Sequence, residues 1–133
     1  MARVTSTPAQ LAGDEAEGVV ARRLEAMGWM ILGRNVRLGR DELDLVAVDP
    51  DPPRSLVILE VRRRGRRDFG LAEETLDRRK RRALRRAIAT LLDRGTLADG
   101  TSLPALPWRV DLVAIDLGPD GRPSIRHHRG IHP

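Results

Sequence analysis

The runs E-L-D-L-V-A-V (42–48) and L-V-I-L-E-V-R (56–62), separated by D-P-D-P-P-R-S (49–55), decide how this chain folds. Each is short, rich in Val, Leu and Ile, and bounded by turn residues, so each is expected as a strand, with the Pro-rich interval as the loop between them. With 49 to 55 as loop, Val48 pairs with Leu56 and Asp44 comes to face Glu60. Side chains alternate across a sheet. Asp44, Val46, Val48, Ile58, Glu60 and Arg62 therefore share one face, and Leu43, Leu45, Ala47, Val57, Leu59 and Val61 form an apolar one. A slip of one residue would turn that apolar face to solvent, so the pattern defends the register.

Upstream, Thr7, Pro8 and Gln10 form a helix start with a T-x-x-Q capping box. Ala16, Val20, Leu24 and Met27 recur at helical spacing until Gly28. Residues 29 to 37 read as a strand and Gly39-Arg40 as the turn into the next. Downstream of a basic loop, Leu76, Lys80, Ala83, Leu84, Ala87, Ile88, Leu91 and Leu92 mark a second helix closed by Gly95. A polar loop (96–107), an apolar strand (108–117), a turn (118–122) and a short strand (124–128) complete the order αβββαββ. The 108–117 strand is apolar enough to be central and covered on both sides. The expected fold is α/β, one mixed sheet flanked by two helices, in a single domain over residues 1–133 with 1–6 as a loose tail.

A chain of 133 residues can bury one core, and with only Trp29, Trp108 and Phe69 as aromatics that core must be aliphatic. Cysteine is absent, which excludes disulfides and thiolate-bound zinc. No stretch approaches a membrane span and no leader pattern opens the chain, so a cytoplasmic location is expected. The net charge of +5 is unevenly placed: residues 62–86 hold 12 basic and 4 acidic side chains, a local +8, leaving −3 elsewhere. Such a face suits a polyanion, and it would equally serve as a solubilising surface. Of 24 basic residues 23 are arginine, a bias that fits genome composition, and Lys80 is the single lysine.

Two facing carboxylates repel unless one is protonated or a cation lies between them. Mg²⁺ or Mn²⁺ at Asp44 and Glu60 would resolve that conflict and could activate water against a phosphodiester. The alternative is a pair of acids at a wet sheet end, neutralised by arginine. Glu17 lies on or beside the face that the first helix turns to the sheet, where a carboxylate needs a reason. Lys80 lies on the apolar stripe of the second helix, pointing inward or snorkelling to its edge. His127 and His128 point to opposite faces and cannot share a metal. Trp29 and Trp108 are expected to pack.

The segments A-E-G-V-V-A-R-R-L-E-A-M-G-W-M-I-L-G-R-N (16–35), D-E-L-D-L-V-A-V-D (41–49), L-V-I-L-E-V-R-R-R (56–64), R-K-R-R-A-L (79–84) and W-R-V-D-L-V-A-I (108–115) resemble, in order and spacing, the uncharacterised bacterial YraN-like proteins of the restriction-endonuclease-like PD-(D/E)xK superfamily. The resemblance covers residues 13 to 131. It implies Glu17 as the helix glutamate, Asp44 as the metal-binding aspartate, Glu60 as the acid of E-x-K, Glu42 as the acid of the G-E-I-D run, and Lys80 as the lysine that opens the second helix. It also implies Mg²⁺ as cofactor and DNA as substrate. The sequence departs from the pattern at Ala16, at Asp41 and, above all, at Arg62, which stands where E-x-K has lysine. Arginine keeps the charge and clamps phosphate but does not release its proton.

Three functions follow. The first is a metal-dependent nuclease on DNA, including branched or repair intermediates, with Asp44 and Glu60 holding Mg²⁺ or Mn²⁺, Glu17 supporting through water, and Arg62 or Lys80 as the working cation. The second is a non-catalytic nucleic-acid-binding domain, with Arg63, Arg64, Arg66, Arg67, Arg79 and Arg82 on phosphates. The third is an adaptor whose basic face meets an acidic protein. Duplex cleavage on such a fold is compatible with a homodimer.

Overall fold

A computed structural model describes residues 8–64, 73, 76–117, 120 and 122–133. The expected tail at 1–6, the Thr7 cap and the arginines at 66 and 67 lie outside the described residues. Helix α1 (Pro8–Ala26) begins at its proline, whose missing N–H costs nothing in the first turn. It ends at Gly28, where φ is +90° and Trp29 N–H donates to Leu24 O at 3.0 Å, closing the last turn.

Strands β1 (Met30–Leu38), β2 (Asp41–Asp49) and β3 (Ser55–Arg64) form an antiparallel meander. Helix α2 (Arg78–Arg94) then crosses over to β4 (Trp108–Leu117), which runs parallel to β3, and β5 (Pro123–Ile131) returns antiparallel. The sheet order is β1-β2-β3-β4-β5, so β3 holds the centre and β4 sits one strand from the edge. Apolar side chains from both faces of β4 are nonetheless buried, Val113 and Ile115 on one and Val110 on the other.

The helices lie on opposite faces. Ala16, Val20, Ala21 and Leu24 of α1 pack on Leu45, Ala47, Val57 and Leu59, while Leu84, Ala87, Ile88 and Leu91 of α2 pack on Val46, Leu56, Ile58 and Val110. Helix α2 starts two residues past Leu76 because Asp77 caps it, accepting the Lys80 N–H at 2.8 Å, and Gly95 ends it at φ +70°. No helix among the described residues is long and apolar enough to cross a membrane.

Val48 pairs with Leu56, the register that the loop length implies. The alternation fails at one point: Leu43 belongs to the core layer of Val46 and Ile58, not to that of Leu45. The pairing of β2 with β3 ends at Leu45 and Leu59, so the backbone around Asp44 is no longer held by that ladder and can turn. Strand β5 also extends past His128 to Ile131, paired with Val110 across a register shift. Trp29 is buried, whereas Trp108 is 48% exposed and does not take the packing role expected of it.

Candidate metal and phosphate site

Where the β2–β3 ladder stops, the Asp44 side chain replaces it: its Oδ2 accepts the Val61 N–H at 2.8 Å. This places the Asp44 carboxylate at the opening between the strands, within reach of both sheet faces. Glu60 meets it from the centre strand, and Glu17 from α1, each near enough to share a proton with Asp44. Three carboxyl groups from three elements thus converge there.

Their electrostatics are unfavourable. Glu60 is 1% exposed; burial, and then the Asp44 charge, push its carboxyl up to about 7. Burial and Asp44 push Glu17 up to about 7 as well. Glu17 Oε2 and Glu60 Oε2 are buried and have no hydrogen-bond donor. Such orphaned oxygens are rare in native interiors, and each calls for a partner or a function.

Cations come close without filling that gap. Lys80 Nζ lies 3.4 Å from Glu60 Oε1, and Arg62 Nη1 lies 3.3 Å from the same atom. Both serve one oxygen and leave Oε2 bare. Arg34 of β1 lowers the cost at Glu17, and its guanidinium lies beside Gly18, where a Cβ would stand 3.6 Å from it. Lys80 therefore reaches inward from α2 onto the same carboxylate as Arg62.

The donor set suits a hard divalent ion. Asp44 and Glu60 would hold it, since carboxylate oxygens are what Mg²⁺ and Mn²⁺ prefer and one oxygen of Glu60 is unclaimed. Among the described residues no group of three or more His, Asp or Glu side chains is placed to hold a metal ion together, so the candidate donors are the Asp44 and Glu60 pair. Glu17 would then act at one remove through water, and the open positions match the habit of Mg²⁺ to keep waters and take phosphate.

The arginines divide. Arg63, Arg79 and Arg82 are exposed, while Arg64 lies 3.4 Å from Asp116. Asp116 also binds Arg126, which grips Glu73 with two hydrogen bonds of 2.8 and 2.9 Å; His128 joins Glu73 at 2.6 Å. That chain ties Glu73 to β4 and β5.

A second polar centre, where β2 finishes and β4 begins, is absent from the sequence-based expectations. Asp49, assigned there to a loop, ends β2 and is buried. Its Oδ2 accepts from Arg109 at 2.7 Å, and Arg109 Nε also donates to Asp111 Oδ1 at 2.9 Å. Asp111 further accepts from Gly130 N–H and pairs with His127 Nε2 at 2.8 Å. The signal was available: an aspartate inside V-D-L-V-A-I (110–115) must find a cation, and Arg109 is its neighbour in the chain.

The class defined by these features is an α/β domain that brings one buried and two half-buried carboxylates and a lysine together where its β2–β3 ladder stops. Residues 16–115 match the model of the uncharacterised protein family UPF0102, and the chain belongs to that family. A UPF0102 protein of Symbiobacterium thermophilum is 37% identical over 83% of this chain and 86% of its own. A second, from Streptomyces coelicolor, is 38% identical over 90% of this chain and 86% of its own. A solved structure of Pyrococcus furiosus SfsA in complex with Ca²⁺ aligns at a TM-score of 0.42 and 14% identity, over 94% of this chain and 65% of that one. The family match bears out the YraN-like resemblance.

Proposed function

We propose that the protein is a divalent-metal-dependent nuclease of the PD-(D/E)xK type, acting on DNA. The observation that carries this reading is the buried Glu60 carboxylate, which faces Asp44 and a lysine yet has one oxygen without a donor. A fold retains so costly an arrangement where a ligand relieves it. Asp44 and Glu60 hold Mg²⁺ or Mn²⁺, and Glu17 supports it through water.

The bound ion supplies Lewis acidity toward a phosphoryl oxygen and an activated water. The chain's own part is positioning. The Val61 N–H fixes the Asp44 carboxylate, and β3 presents Glu60 from a rigid central strand. Lys80 carries three donors on a compact ammonium and reaches the same Glu60 oxygen as the planar Arg62 head, at 3.4 and 3.3 Å. Lys80 orients water or a phosphate oxygen, and Arg62 clamps phosphate. Arg63, Arg79 and Arg82 provide the exposed cationic approach.

The purified protein with Mn²⁺ should cleave linear, nicked or branched DNA, and Asp44→Ala or Glu60→Ala should abolish cleavage. Lys80→Ala should slow it by about a hundredfold or more, and Arg62→Lys should raise the rate. Cleavage that survives both carboxylate changes would sink the assignment. Salt-sensitive binding without cleavage in any DNA form would favour the non-catalytic module.

A further inference from the structure

Next to the acid cluster, on the outer side of α2, the β1–β2 turn and the helix enclose a cleft of about 410 Å³ lined by Arg40, Asp41, Arg79, Arg82, Ala83 and Arg86. Four guanidinium groups surround one carboxylate. Residues 79, 82 and 86 are spaced i, i+3, i+7, so α2 directs all three to one side, over about 10 Å of its length. Ala83 lies among them and leaves room. Arg86 is committed to Asp41 by two hydrogen bonds of 2.8 Å, a forked pair that fixes both. Arg79 and Arg82 have no carboxylate partner among the described residues.

The helix itself adds a second observation. Its first turn carries Arg78, Arg79, Lys80 and Arg81 and no acidic residue, so cations gather at the end where the backbone dipole is already positive. Lys80 is paired with Glu60, and Asp77 caps the backbone without an ion pair to the three arginines. An anion in the cleft would supply one to Arg79.

We infer that this cleft is a phosphate-anchoring subsite for nucleic acid, in which Arg40, Arg79 and Arg82 grip a backbone phosphate while Asp41 holds Arg86 back from it. It rests on the reading of DNA as substrate but not on metal binding or cleavage. Lys80 adjoins Arg79 in the chain and lies at Glu60, so a strand held in the cleft passes directly to the acid cluster. The cleft thereby sets which phosphate along the strand meets Asp44 and Glu60.

The test is binding of a short fluorescein-labelled DNA duplex by anisotropy, in chelator, across a salt series. Arg40→Gln, Arg79→Gln and Arg82→Gln should each weaken binding by about threefold to tenfold and reduce the salt slope by about 1. Arg54→Gln, an equal charge loss in the β2–β3 loop, should change neither measurably. Asp41→Asn, which removes the single carboxylate and releases Arg86, should tighten binding. Thermal melts of the exposed-arginine variants should match that of the parent protein. The inference is overturned if the cleft variants bind like Arg54→Gln, or if Asp41→Asn weakens binding. Inorganic phosphate at constant ionic strength should displace the duplex only in the millimolar range. Displacement at micromolar phosphate would make a free anion the occupant and also overturn it. Normal cleft-dependent binding with no cleavage under Mn²⁺ would instead count against the nuclease reading alone.

Discussion

Two groups of acids are built on the same sheet, and the fold treats them differently. Where β2 finishes and β4 begins, Asp49 and Asp111 receive Arg109, His127 and two backbone N–H groups. Burial opposes their ionisation, but those donors outweigh it, and both carboxyls are held below the usual aspartate range. In the other group, Glu17 and Glu60 are raised by burial and by Asp44, and each retains an oxygen with no donor. The first group is a finished ion-pair network that ties β2, β4 and β5 together. The second leaves two carboxylate oxygens without a donor, and the proposed metal site rests on that difference.

Opposite responses to substitution should follow. A large effect is expected at Asp111: Asp111→Ala empties a fully buried position, removes the acceptor of Arg109, His127 and the Gly130 N–H, and should cost about 3–5 kcal/mol in denaturant unfolding. An effect under about 1 kcal/mol would mean that the network is decorative. Glu60→Gln should move the other way, stabilising the metal-free protein at neutral pH by on the order of 1–3 kcal/mol, because it removes a buried charge opposite Asp44. A loss of stability there would erase the contrast.

Acidity should separate the two groups as well. From the ordinary glutamate value of 4.5 up to about 7, the unfolded chain has released protons that folded Glu17 and Glu60 still hold. Stability contributed by that group therefore falls as pH rises through this window. Asp49 and Asp111 act with the reverse sign: their contribution is complete above the usual aspartate value and is lost as pH falls toward their depressed values. Melts in chelator should show a decline in Tm from about pH 5 to about pH 8, reversed by Mn²⁺ and reduced in Glu60→Gln. A profile that rises across that range in chelator would contradict the incomplete-site account.

The smallest effect is expected at Trp108, with Trp29 as its contrast. Trp29 is buried against His127, with Arg109 and Arg129 over its ring, and Trp29→Ala should cost about 3–5 kcal/mol. Trp108→Ala, at an exposed position, should stay within about 1 kcal/mol. Equal costs would show that exposure misleads at residue 108.

Much of this was legible in the chain because a single physical constraint governed it. The alternation from Leu45 onward and the Pro-rich loop together set the β2–β3 register as far as Leu45 and Leu59, which leaves Asp44 and Glu60 just beyond the last pair. The stripe on α2 brought Lys80 inward for the same reason. What escaped depended on places where local pattern and tertiary contact part. Leu43 changes core layer because the β2–β3 ladder ends beside it, and no periodicity reports where a ladder ends. Asp111 was hidden by its apolar neighbours, although its charge within a buried strand was itself the clue. Arg40 and Arg86 come together only when the β1–β2 turn packs against α2, across 45 residues of sequence in the case of Arg86 and Asp41.

The claim that the Asp44 and Glu60 pair is an incomplete metal site is tested most directly by calorimetric titration of Mn²⁺ into the intact protein, Asp44→Asn and Glu60→Gln at neutral pH. The account predicts a saturable ion per chain in the parent protein, lost in both variants, with proton release on binding from the raised carboxyls. No binding by the folded parent, or binding that both variants retain, would contradict it.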